Sequence, residues 1–396
     1  MAKESAESRA KRHAGLRIDT IIAHAGLAPQ AFHGFVNPPV VRGSTVLFEN
    51  VEAMRGRAGA RYSYGLTSTP TIEALVEALN ILDGAAGTVL VPSGLAAVTT
   101  AILVAARPGK KILVPDNVYA PTRRFCDESL RGFGVETIYY DPLIGAEIAD
   151  LLNGVTALFL EAPGSHTFEM PDIRAMVGPA QAAGAIVMMD NTWATPLIYR
   201  PLDHGIDLAI YAGTKYQGGH SDLLLGSISA NERLWPALQQ LHKNLGIQAG
   251  TEEIWLTLRG LRTMGVRLER HERSALHIAR WLQDRPGVAR VLHPALPDNP
   301  GHEIWKRDFG RSTGLFAFVV DGEQRHADAF LNALRLIGLG YSWGGFESLA
   351  APGELEHCRT ARPWAEGPTI RLQIGLEDVA DLTEDLQRGF TAMKAA

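Results

Sequence analysis

The sequence predicts an α/β fold: a largely parallel sheet in a large domain, followed by a smaller α+β C-terminal domain. Three observations lead there. From about residue 87 to 229, short apolar runs alternate with helical stretches, the pattern of strands covered by helices on both faces. Beyond about residue 266 the chain changes to a long helix, spaced strand candidates and a closing helix. A chain of 396 residues, 46% hydrophobic and 20% charged, is long enough for two or more domains with a large core.

Taken in order, residues before about 61 carry little regular patterning and include Asn37-Pro38-Pro39, which predicts an extended arm over 1–60. The stretch up to Arg17 mixes Lys3, Arg9, Lys11 and Arg12 with Glu4 and Glu7 and has no apolar core. It reads as a flexible arm rather than a secretion signal. Apolar runs at 88–91, 112–114, 135–140, 157–160, 186–189 and 208–211 supply strands for a large domain over 61–255. The domain over 256–396 takes a helix near 266–282, strands at 288–292, 315–320 and 369–374, and a helix after Glu377.

Composition narrows the partners. A net charge of -5 gives no electrostatic reason to expect nucleic acid or an anionic membrane, and no apolar run approaches the roughly 18 residues a membrane span needs. A cytoplasmic location is the expectation. Cys126 and Cys358 have no metal-site spacing and read as reduced thiols; no metal is expected. His24, His33 and His166 read as structural or surface histidines, with His166 alone also a candidate to approach a cofactor loop. Arg259, Arg262, Arg267 and Arg270, alternating with Glu269, read as a solvated helix face with ion pairs.

The chemistry collects where strands end, as ligands of open α/β sheets do. After strand 88–91 come Pro92-Ser93-Gly94 and a good helix, whose free N–H groups attract phosphate. Asp190 leaves an apolar strand as a carboxylate, costly unless it meets a cation, although a lone aspartate there is more often a helix cap. After strand 208–211 comes Gly213-Thr214-Lys215. A lysine of depressed pKa forms a Schiff base with an aldehyde, and a carboxylate keeps a pyridine nitrogen protonated. One cofactor, pyridoxal 5'-phosphate (PLP), would satisfy all three strand ends. Gly218-Gly219-His220-Ser221-Asp222 reads as a tight loop near the lysine, not a phosphate loop.

Asp190-Asn191-Thr192-Trp193, Ala212-Gly213-Thr214-Lys215-Tyr216, Gly219-His220-Ser221-Asp222, Gly260-Leu261-Arg262-Thr263, Tyr341-Ser342-Trp343-Gly344-Gly345-Phe346-Glu347-Ser348 and Ile370-Arg371-Leu372 resemble the Cys/Met-metabolism family of PLP enzymes. Asp141-Pro142-Leu143-Ile144-Gly145-Ala146, His293-Pro294-Ala295-Leu296-Pro297 and Trp305-Lys306-Arg307-Asp308-Phe309 are similar to its bacterial β-lyase branch. The resemblance implies PLP fold type I with a seven-stranded sheet, assembled as a homotetramer of two active dimers. It implies Lys215 as the Schiff-base lysine, Asp190 as the pyridinium partner and Tyr119 stacked on the ring and able to pass a proton. It also implies Gly94, Leu95 and Thr214 at the phosphate, with Tyr64 reaching it from the neighbouring subunit. Arg371 is implied as the clamp on the substrate carboxylate, Ser342 as its orienter and Tyr341 at the distal end of the pocket. Trp343, bulkier than the aliphatic residue of γ-specific relatives, points to the β-lyase branch. The implied reaction is α,β-elimination of cystathionine or a related cysteine thioether to a thiol, pyruvate and ammonia. The alternatives are a γ-lyase or γ-replacement enzyme of the same family, and a regulatory PLP-binding protein.

Two positions depart from the family pattern. Leu66 stands where an arginine would reach the neighbouring subunit's phosphate; leucine donates no hydrogen bond, so cofactor retention is expected to be weaker unless Arg61 or another cation substitutes. Arg124 stands where the branch carries an acidic residue. A cation there would repel a distal ammonium and favour a distal carboxylate or a different thioether.

Overall fold

The computed structural model describes residues 13, 15–56, 61–353, 355 and 358–396. Its larger sheet holds β1 (Gly87–Val91), β2 (Lys111–Pro115), β3 (Glu136–Tyr140), β4 (Val155–Glu161), β5 (Ile186–Asp190), β6 (Leu208–Ala212) and β7 (Gly226–Ala230). They lie in the order β1-β7-β6-β5-β4-β2-β3. Only β7 runs against its neighbours β1 and β6. Runs such as Leu158, Phe159 and Leu160, all fully buried, have no polar face because helices cover both sides. The helix Gly94–Ala105 packs on one face and the helix Ile173–Ala182 on the other.

The second sheet has the order β10-β11-β12-β9-β8, from β8 (Val288–Leu292), β9 (Leu315–Val320), β10 (Gly338–Leu339), β11 (Leu349–Gly353) and β12 (Thr369–Gln373). The helices Gln324–Ala333 and Val379–Met393 cover one face of it through Phe330, Leu386 and Phe390. The other face meets the large sheet directly: Leu292, Leu315, Ala317 and Val319 share one apolar cluster with Leu158, Met189 and Trp193. The 33-residue helix Thr251–Gln283 joins the halves, packing Leu258 and Leu261 near the helix Pro70–Asp83 and Ala275 and Ile278 into the small sheet's core.

Several elements differ from the sequence expectation. The strand β7 has no apolar run, because Ser227, Ser229 and Ala230 are small residues buried beneath close-packed helices. A Cβ on Gly226 would strike Ser93 and Ala97. Strands β10 and β11 were also unmarked. The long helix begins well before residue 266, at Thr251. Within the expected arm, the helices Ile18–His24 and Val51–Gly56 form and Ile22 docks on the long helix; of the stretch up to Arg17 read as flexible, residues 1–12 and 14 lie outside the described residues.

The arginine-rich face of the long helix is corrected outright. Arg267 is buried and donates from Nη2 to the carbonyls of Tyr216 and Gly260, both at 2.8 Å. Arg262 donates from Nη1 to the Ile22 carbonyl at 2.5 Å and Arg270 from Nη2 to the Glu377 carbonyl at 2.8 Å. These three hold backbone carbonyls instead of forming ion pairs among the described residues; only Arg259 stays exposed. A guanidinium suits this role, since its fixed fork of donors can bridge two carbonyls.

Candidate active site

A cavity of about 250 Å³ opens at the carboxyl ends of the large sheet's strands and is closed from the other side by β12 and the segment before β11. Each wall follows from a strand end. The strand β1 hands over to Ser93, whose hydroxyl accepts from the Ala96 N–H at 3.1 Å and so starts the helix Gly94–Ala105. Ala97 bonds to the Ser93 carbonyl, which leaves the N–H groups of Gly94 and Leu95 without an intrahelical partner beside the cavity. Such a pair, on the positive end of a twelve-residue helix, is a phosphate cradle.

The strand β5 ends in Asp190, which accepts from the Thr192 N–H at 2.9 Å. The turn beyond it is fixed by Asn191, which donates to the Tyr199 carbonyl and the Tyr211 hydroxyl at 2.8 and 3.2 Å. Tyr211 in turn donates to the buried Asp83 at 2.5 Å. Burial raises the Asp190 carboxyl above its usual range, opposed by the side-chain and backbone bonds from Thr192 and then by the charge of Lys215. A buried carboxylate so poorly compensated fits a cation in front of it.

After β6, Lys215 projects into the cavity and donates to the Ser342 hydroxyl at 2.9 Å. Its Nζ lies 5.4 Å from the centre of the Trp343 ring. Burial, and then the charge of Arg371, push the lysine down to about 8, with Asp190 acting against them. A substantial share of the amine is therefore neutral near pH 7 to 8, as a Schiff-base former requires. Thr214 lines the same wall and exchanges hydrogen bonds with the backbone of Leu225.

Arg371 sits mid-strand on β12, buried, with Nη2 donating to the carbonyls of Gly340, Tyr341 and Ser342 at 3.3, 2.6 and 3.3 Å. No described residue takes the bonds of its Nε and Nη1. Tyr119, at the start of the helix Ala120–Arg124, is 45% exposed at the cavity mouth. Burial and the charges of Glu161 and Asp190 raise its phenol, so it is protonated at neutral pH.

The cavity thus gathers Gly94, Leu95, Tyr119, Asp190, Thr214, Lys215, Tyr341, Trp343 and Arg371, with Ser342 against the lysine. Tyr64 is not among its walls; it lies on the outside of the chain, bridged to Thr45 and 49% exposed. Leu66 is likewise exposed, and Arg61 is already paired with Glu73. Arg124 is exposed without an ion pair among the described residues, although its charge is felt at Tyr119. Among the described residues no His, Cys, Asp or Glu side chains cluster as metal ligands would.

Two cavity residues were not among the sequence-predicted site residues. Glu161 ends β4 directly opposite Asp190 on β5 and accepts from the Tyr119 N–H at 3.0 Å. Burial, then Asp190, raise its carboxyl well above the usual range. An acidic residue closing an apolar strand was its only signal in the sequence. His166 lines the cavity from the loop after β4, where the sequence let it approach the cofactor loop without giving it a role.

A neutralisable lysine facing an under-compensated carboxylate, with a phosphate cradle at one end and a guanidinium at the other, defines a PLP-dependent enzyme acting on amino acids. The chain belongs to the Cys/Met metabolism PLP-dependent enzyme family, which it matches over residues 19–391. A Rhizobium johnstonii protein carried under the provisional name cystathionine beta-lyase is 55% identical over 96% of this chain and 97% of its own. Cystathionine beta-lyase MetC of Escherichia coli is 42% identical over 94% of this chain and 98% of its own. The crystal structure of cystathionine gamma synthase from Xanthomonas oryzae pv. oryzae, in complex with aminoacrylate and cysteine, superposes with a TM-score of 0.90. It is 30% identical and covers 96% of this chain and 100% of that one.

Proposed function

We propose that this enzyme is a carbon–sulfur β-lyase that cleaves cystathionine, or a related cysteine thioether, to a thiol, pyruvate and ammonia. The observation that carries the reading is the Trp343 indole beside Lys215, set in a chain that resembles proteins named cystathionine beta-lyase over nearly its whole length. Bound through Lys215, PLP supplies a ring that accepts electron density from the substrate Cα. Asp190 would hold a proton at the ring nitrogen, Gly94, Leu95 and Thr214 would hold the phosphate, and Tyr119 would cover the ring. Arg371 binds the substrate carboxylate through the donors left free on its guanidinium. That grip decides which bond of Cα faces Lys215. Once the substrate amine has displaced it, the freed Nζ of Lys215 takes the Cα proton as general base. The departing sulfur receives a proton from Nζ or from the Tyr119 hydroxyl, which is protonated at neutral pH, and water hydrolyses the unsaturated amine that is released to pyruvate and ammonia.

The same reading assigns Tyr64 to the neighbouring subunit's phosphate, in a homotetramer of two active dimers, and a cytoplasmic location; no helix of the described residues is long and apolar enough to cross a membrane. Incubation with L-cystathionine tests the reaction. Pyruvate is the expected keto acid, and its loss in Lys215→Ala ties it to the site. Appearance of 2-oxobutyrate instead would mean γ-elimination, and no keto acid would favour another substrate or a regulatory PLP-binding protein. Arg124, exposed near Tyr119, favours thioethers with a distal carboxylate over those with a lone distal ammonium.

A further inference from the structure

The loop after β4 carries a backbone that histidine rarely adopts. His166 has φ +64° and is spanned by a 2.8 Å hydrogen bond from the Thr167 N–H to the Ser165 carbonyl. That is a three-residue γ-turn in its sterically unfavourable form. The turn is pinned from both sides: Ser165 donates to the Asn117 carbonyl at 2.9 Å, Gly164 to the Glu169 carbonyl at 3.0 Å, and Phe168 to the Gly164 carbonyl at 3.1 Å. Asn117 also donates to the Glu169 carboxylate at 2.9 Å. A surrounding structure that over-determines a strained residue inside a cavity points to a role there.

The imidazole lines the cavity that holds Arg371, Lys215 and Tyr119. Its Nδ1 is buried without a partner, and no described residue bonds its Nε2. Burial, then the charge of Arg371, hold the ring down to about 4, so it is neutral at physiological pH. The other titratable groups lining the cavity are Tyr119, Glu161, Asp190, Lys215, Tyr341 and Arg371. A neutral imidazole and a guanidinium with free donors, lining one cavity, can both donate to one carboxylate.

We propose that His166 is a second ligand, together with Arg371, for the carboxylate of the amino-acid substrate, donating a ring N–H to an oxygen that the guanidinium also holds. The proposal rests on the reading of Arg371 as the carboxylate clamp. It makes the substrate carboxylate a bridge between β12 and the loop after β4, which is tied through Asn117 to the turn that carries Tyr119.

Propionate, a carboxylate without the amine, tests it on the PLP-loaded enzyme. Binding is followed by calorimetry, and the ring by NMR of ¹⁵N-labelled histidine. Saturating propionate is expected to shift the His166 ring nitrogens. His166→Gly, which accepts the left-handed backbone without strain, is expected to bind propionate about tenfold more weakly, the usual worth of a hydrogen bond to a charged group. His166→Asn, which also tolerates that backbone and keeps an N–H donor, is expected to recover most of the loss. An unmoved ring at saturation, or His166→Gly binding as tightly as the parent, would overturn the proposal. Arg371→Ala separates the two readings. If it weakens propionate while His166→Gly does not, only the histidine role fails; if neither matters, or propionate does not bind at all, the carboxylate clamp fails with it.

Discussion

Arg267 illustrates how much one side chain can hold. Its guanidinium bonds the carbonyl of Tyr216, the residue next to Lys215, and the carbonyl of Gly260 within its own helix, while Nε reaches the Thr263 hydroxyl at 3.1 Å. Burial brings it down to about 10, so it is still charged at neutral pH. Removing it would leave the Tyr216 carbonyl without its donor beside Lys215, although the Gly260 carbonyl keeps the Thr263 hydroxyl. Arg267→Ala is expected to lower stability by about 2–4 kcal/mol in urea unfolding, and to release PLP faster on dialysis. Lysine at this position would not restore both, because a single ammonium lacks the rigid fork. At this scale legibility was uneven. Lys215, Asp190 and Arg371 stand in recognisable strings, and the structure brings them to one cavity. Arg267 was read as solvated because helical spacing says nothing of which face meets a loop from elsewhere in the chain. His166 and Glu161 depend on where a loop turns and on which strands pair, and neither is encoded locally.

Among the elements, the short turn after β2 does the most joining. Asp116 accepts from the N–H groups of Thr360, Ala361 and Arg362 at 2.8, 2.9 and 2.7 Å, and from Arg123 Nη2 at 2.5 Å. Three residues further on stands Tyr119. Burial favours protonation of Asp116, but the bonds from Thr360, Arg362 and Arg123 outweigh it and hold the carboxyl below its usual range. A folded-state pKa below the unfolded one means that the stabilisation is present above the ordinary value of about 3.9 and is lost as pH falls through the folded pKa. Asp116→Ala is therefore expected to destabilise the enzyme by about 3 kcal/mol at pH 7, with the difference from the parent shrinking in acid; pH-dependent denaturation measures both. Apolar strands and amphipathic helices were legible as elements because each repeats a period. The strand β7 and the turn at Asp116 were not, since one is built of small residues and the other acts on residues far along the chain.

At the scale of the molecule, Leu66 is the open position. It is exposed on the outer face with Tyr64, and Arg61, the nearest candidate to replace a missing cation, is committed to Glu73. If this face meets a neighbouring subunit's phosphate, Leu66→Arg adds one charge-assisted contact and is expected to tighten PLP binding about tenfold. Titration of the apoenzyme measures it, and unchanged affinity would place Leu66 away from the phosphate. The two sheets themselves share one apolar cluster, and the indole N–H of Trp193, three residues after Asp190, donates to the Leu315 carbonyl of β9 at 3.0 Å. The halves are therefore not interchangeable modules. A chimaera that took its large half from one relative and its small half from another would have to match side-chain volumes across a seam that also aims the aspartate. Recombination between relatives of this enzyme should succeed at surface loops and fail at the boundary that a domain diagram would suggest.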